Sequence, residues 1–84
     1  MNITLKLFAT LSDYLPEQAK RNNQLVLDLP PESTVAQVIA RFALPEKFVH
    51  LVLVNGTFVP HEERFSHPLK EGDTLAIWPP VAGG

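Results

Sequence analysis

Three histidines are present, His50, His61 and His67, and no two of them share the close helical spacing of a zinc-binding motif. Each is better read as a surface or hydrogen-bonded histidine than as a ligand. The pair Glu62-Glu63 lies in the same polar stretch as His61 and His67 and reads as a solvated face rather than acid–base machinery. The chain has no cysteine, which excludes a thiolate nucleophile, a persulfide of its own, Cys-ligated zinc and a disulfide. It has no GxSxG, no phosphate loop and no glycine cluster opening a helix. The body of the chain therefore offers no active site, and neither a metal nor a bound cofactor is expected.

The ending differs. From Thr74 onward no side chain carries a charge, and the chain closes Trp78-Pro79-Pro80-Val81-Ala82-Gly83-Gly84. Two terminal glycines arise by chance in about 1 chain in 200 at average composition. One reading is a frayed end, but frayed ends are usually polar. The other is a functional tail. Pro79-Pro80 favours an extended, stiff exit from the preceding strand. Six residues beyond Trp78 reach about 20 Å. Gly83 and Gly84 carry no side chains, so they can thread a narrow channel in another protein. A terminal carboxylate is a poor electrophile until joined to AMP as an acyl-adenylate; a sulfur donor can then displace AMP and leave a thiocarboxylate. Such a carrier needs no cysteine of its own.

The elements that would hold this tail can be read from periodicity. Ile3-Thr4-Leu5-Lys6-Leu7 alternates, which predicts a strand with Ile3, Leu5 and Leu7 inward and Phe8 on the opposite parity. Residues 9–14 suggest a short helical turn, and residues 17–23 read as a loop. Leu25-Val26-Leu27-Asp28-Leu29 is a second strand, ended by Pro30-Pro31. Thr34 and Gln37 match a capping box, followed by Val35, Val38, Ile39 and Phe42 as the buried stripe of one helix, ending near Ala43 or Leu44 before Pro45. Residues 49–54 read as a central strand that includes His50. Asn55-Gly56 marks a hairpin, and Thr57-Phe58-Val59 returns. Residues 61–70 read as an irregular polar loop, Glu71-Gly72-Asp73 as a tight turn and Thr74 to Trp78 as the last strand. Five strands and one main helix bury their apolar faces most simply as a mixed sheet wrapped around the helix, an α+β β-grasp. The expected division is a β-grasp domain over residues 1–78 and a flexible tail over residues 79–84.

Composition narrows the setting. At 84 residues the chain is one domain, and 45% hydrophobic content excludes wholesale disorder. Seven basic and nine acidic side chains, with no basic run, argue against nucleic-acid binding through phosphates. No apolar run approaches the roughly 20 residues of a membrane span, and Met1-Asn2-Ile3-Thr4 lacks the basic start and long apolar stretch of a signal peptide. A cytoplasmic setting is expected.

The stretch Leu69-Lys70-Glu71-Gly72-Asp73-Thr74-Leu75-Ala76-Ile77-Trp78-Pro79-Pro80-Val81-Ala82-Gly83-Gly84 resembles the ending of the molybdopterin synthase small subunits, the sulfur-carrier branch of the ubiquitin-like β-grasp proteins. Leu7-Phe8-Ala9-Thr10-Leu11 resembles their first-strand exit, and Val54-Asn55-Gly56 a hairpin shared with the thiamine sulfur carrier. The chain departs from the pattern at Ser12 and over residues 60–68. The resemblance implies that Gly84 is adenylated and then thiolated, with Pro79, Pro80, Val81, Ala82 and Gly83 as the tail that threads the partners' active sites and Gly83 as its immediate neighbour in the channel. It implies an ATP-using, ubiquitin-activating-type adenylating enzyme, a sulfur donor protein, and the large subunit of molybdopterin synthase as the catalytic partner that transfers sulfur to a pterin precursor. The chain would then be a carrier subunit with no active site of its own. Apolar residues beside the tail would dock these partners, and Phe8 and Trp78 are the candidates, because both fall on the parity opposite the inward Leu7 and Ile77. The alternatives are a carrier for thiazole, amino-acid or tRNA thiolation, a ubiquitin-like modifier joined to lysines, and a plain interaction module.

Overall fold

The computed structural model describes residues 1–80; the expectations for Val81, Ala82, Gly83 and Gly84 lie outside the described residues. Strand β1 (Asn2–Leu7) is followed by a 3-10 turn (Ala9–Tyr14), a single helical turn α1 (Glu17–Lys20) and β2 (Gln24–Asp28). Helix α2 (Val35–Arg41) leads through a 3-10 turn (Glu46–Phe48) to β3 (Leu51–Val54) and β4 (Thr57–Phe58); a last 3-10 turn (His61–Glu63) precedes β5 (Thr74–Trp78). The sheet order is β2-β1-β5-β3-β4. β1 and β5 run parallel at the centre and every other pair is antiparallel. This is the expected mixed five-stranded β-grasp.

The alternation read from the sequence decides the core. Ile3, Leu5 and Leu7 of β1, Leu75 and Ile77 of β5, and Val52 and Val54 of β3 are buried with Val35 and Val38 of α2. The capping box forms as expected: the Gln37 amide donates to Thr34 Oγ1 at 3.3 Å, and the Thr34 amide donates to Gln37 Oε1 at 2.8 Å. Asn55 and Gly56, with φ of 51° and 82°, make the hairpin turn.

Four readings need correction. The helix ends at Arg41 rather than near Ala43 or Leu44, because Ala43 turns left-handed (φ 52°) ahead of the Leu44-Pro45 pair. So short a helix leaves Ile39 and Phe42 only partly buried against the core. Residues 17–23 are not all loop: Glu17–Lys20 form one α-helical turn after Pro16, with Lys20 donating to Glu17 at 3.0 Å and Ala19 buried. β3 begins at Leu51, so exposed His50 stands just before the strand, although its amide still donates to the Trp78 carbonyl at 3.1 Å. Residues 61–70 hold a 3-10 turn, a bridge between Thr34 and Pro68, and a buried arginine, Arg64.

Candidate docking face and tail root

The last strand owes its position to a side-chain clamp. Gly72 supplies the positive φ of 84° that the turn before β5 requires, with open space where a Cβ would sit. Asp73, nearly buried, accepts from the Lys70 amide and from Asn55 Nδ2, both at 2.8 Å. Asn55 Oδ1 in turn accepts from the Thr74 amide at 2.8 Å, and the Asn55 amide donates to the Thr74 carbonyl at 2.9 Å. The Thr4 amide donates to the Asp73 carbonyl at 2.8 Å. The Gly-Asp turn is thus tied to the Asn-Gly hairpin on one side and to β1 on the other, which fixes the register of β5.

That register places Leu7 beside Ile77, and the Phe8 amide donates to the Ile77 carbonyl at 3.2 Å. One residue further, Phe8 and Trp78 fall side by side on the outer face. Their rings stack with centroids 4.3 Å apart and planes 6° from parallel. Phe8 and Trp78 are half-buried. Ala9, with φ 53°, then turns the chain sharply off the strand. Leu51 lies opposite Trp78, Leu53 opposite Ala76, and Phe58 opposite Leu53, so the outer face of β5, β3 and β4 continues the apolar surface. Phe58 is 53% exposed.

Trp78 leads directly into Pro79 and Pro80. Pro79 is buried and Pro80 is exposed. The structure therefore brings Phe8, Trp78, Pro79 and Pro80 together. The histidines do not converge: His61 Nε2 lies 3.0 Å from Glu46 Oε1, and His50 precedes β3. Among the described residues no group of three or more His, Asp or Glu side chains could hold a metal ion, and no helix is long and apolar enough to cross a membrane.

Sequence reasoning missed Arg64, which is buried and donates to the carbonyls of Val49 and His50. Its acceptors lie 15 and 14 positions away, and no local pattern announces them. Asp73 was read only as a turn residue; its role as a clamp depends on Asn55, eighteen positions earlier.

The ThiS family model matches residues 5–84. The chain belongs to the ThiS family. Among solved structures it resembles the HVO 2177 protein of Haloferax volcanii, at 25% identity and a TM-score of 0.73, covering all of this chain and 87% of that one. The small archaeal modifier protein 1 of Methanosarcina acetivorans matches at 25% identity and a TM-score of 0.63, over 99% of this chain and 96% of that one. In a protein–protein complex of subunits 1 and 2 of the molybdopterin-converting factor from Helicobacter pylori, a chain of the same fold matches at 18% identity and a TM-score of 0.62, each covered completely. No curated protein matches the sequence. The five-stranded β-grasp fold of the chain agrees with membership of the ThiS family.

Proposed function

We propose that this ThiS-family chain is a sulfur carrier for molybdopterin synthesis, with Gly84 as the residue activated. The observation that carries the reading is the Phe8–Trp78 stack at the point where β5 releases the chain to Pro79 and Pro80. A partner seated on that face would receive the tail in a fixed direction. The terminal carboxylate oxygen of Gly84 would attack the α-phosphorus of ATP inside the adenylating enzyme, releasing pyrophosphate. Sulfide-level sulfur (HS⁻) released from a donor protein would then attack the carbonyl carbon, forming the C–S bond of the thiocarboxylate as the bond to AMP breaks and AMP departs. Gly83 and Gly84 would thread the active sites, with Val81 and Ala82 spanning the channel behind them. The chain itself would bind no cofactor; ATP belongs to the activating enzyme. The carrier would then dock on the large subunit of molybdopterin synthase as a hetero-oligomer, a reading supported by the subunit complex from Helicobacter pylori. A cytoplasmic location is part of the same proposal.

The test is transfer. Thiocarboxylated chain, mixed with the large subunit and the pterin precursor, is expected to yield molybdopterin and return the carboxylate. Failure there, with sulfur accepted instead by a thiazole-forming enzyme, would move the chain to another pathway of the same chemistry. The likeness to an archaeal modifier protein favours a second reading, in which activated Gly84 forms an isopeptide bond with lysines of target proteins. Conjugates of higher mass, cleaved to a Gly-Gly remnant on lysine, would identify that activity in cell extract.

A further inference from the structure

On the helix side of the sheet, a groove of about 260 Å³ runs between α2 and residues 61–65. Ala36, Ile39 and Ala40 form one wall, Val49 the floor and Phe65 the rim, with Arg64 set among them. Phe65 is 74% exposed, an aromatic ring held in water beside an apolar wall.

Arg64 makes this more than an apolar dent. Only 6% of it is exposed. Its two terminal nitrogens donate to the carbonyls of Val49 and His50, each over a long 3.4 Å. Its Nε is buried with no partner among the described residues. No described carboxylate stands within ion-pair distance of it. Glu46, at the mouth, is engaged by His61 at 3.0 Å and favours the cation only from a distance, while burial pulls the guanidinium below its ordinary pKa. A guanidinium stays charged under such conditions, and a buried charge ordinarily finds an anion.

We propose that this groove docks a segment of a partner protein in which a carboxylate stands next to an apolar residue, the apolar side chain lying on Ala36 and Ala40 and the carboxylate meeting Arg64. Three features choose this occupant. A buried cation with no carboxylate within ion-pair distance among the described residues selects an acid. The volume, below the roughly 300 Å³ at which small-molecule pockets begin, suits one side chain and its neighbour. The exposed Phe65 offers the aromatic contact area that protein interfaces use and a small free acid leaves uncovered. The groove also adjoins the tail root: His50 accepts from Arg64 and donates to the Trp78 carbonyl. The proposal does not depend on sulfur chemistry.

The probe is the peptide acetyl-LEELF-amide, titrated into the ¹⁵N-labelled full-length chain, with acetyl-LQQLF-amide and sodium butyrate as controls. Saturable shifts are expected at the Ala36, Ala40 and Phe65 amides and at the Arg64 Nε–H, with the glutamine peptide at least about tenfold weaker. Butyrate should leave Phe65 unmoved. Ala40→Glu, at an exposed position on the wall, should abolish binding while leaving the rest of the spectrum in place. Equal binding of the two peptides would overturn the proposal. So would saturation by butyrate, shifts confined to the outer face of the sheet, or no saturable shift at all.

Discussion

Phe8 and Trp78 lie 70 positions apart in the chain and stack ring on ring, centroids 4.3 Å apart and planes 6° from parallel. The stack follows from the parallel register of β1 and β5, which pairs Leu7 with Ile77 and leaves the next residue of each strand on the outer face. The same two strands thus build the core with one parity and the Phe8–Trp78 stack with the other.

The first prediction concerns that pair. Truncating either ring to alanine is expected to cost about 0.5–1.5 kcal/mol of stability beyond the area term, because the stack is half-buried. Affinity for the large subunit should fall by more than about 2 kcal/mol if the stack is the centre of the interface. Denaturant midpoints and binding isotherms on the same variants check both. A stability loss of a core-truncation size, about 3–5 kcal/mol, with normal binding by the folded fraction, would make the rings structural only.

Asp73 is expected to behave as a clamp. Asp73→Ala leaves the Lys70 amide and Asn55 Nδ2 without their acceptor and should cost about 1–3 kcal/mol. Asn55→Ala should cost a similar amount, and the double variant should cost less than the sum, because the two side chains belong to one network. Strict additivity in urea unfolding would show that they act separately.

Helix α2 gives a graded test of burial. Leu5→Ala, beneath the helix in the fully buried core, should cost about 2–5 kcal/mol. Ile39→Ala should fall at or below about 2 kcal/mol, because Ile39 is only partly buried. Thr34→Ala, which removes the cap, should cost about 1 kcal/mol. Thermal or denaturant unfolding ranks the three; an Ile39 effect equal to that of Leu5 would mean that α2 packs more deeply than described.

Much of this was legible in the sequence because each strand carries its own signal. The period-two leucines of β1, the Asn-Gly hairpin and the Thr34–Gln37 cap depend only on near neighbours, and each forms where it was expected. Phe8 and Trp78 were singled out by parity, but their contact required the parallel register, which no local pattern reveals. Arg64 was hidden among the polar residues of its loop because its burial depends on Val49 and His50 across the fold. The end of α2 was misplaced by two or three residues because left-handed Ala43, not Pro45 alone, breaks the helix.

The central claim is that the Gly84 carboxylate is the one group on this chain that reacts. Near-attack geometry is strict: a displacement of about 1 Å can cost about 10²-fold in rate, and deleting Gly84 withdraws the carboxylate by about 3.5 Å. The decisive measurement is the intact mass of the chain after incubation with the adenylating enzyme, ATP and a sulfur donor. The wild-type chain should gain the mass difference of one oxygen replaced by sulfur, confined to the C-terminal peptide. Chains lacking Gly84, or extended by one residue beyond it, should fold normally and remain unmodified. Thiolation of the shortened or extended chain at the wild-type rate, with full support of cofactor synthesis, would contradict the account.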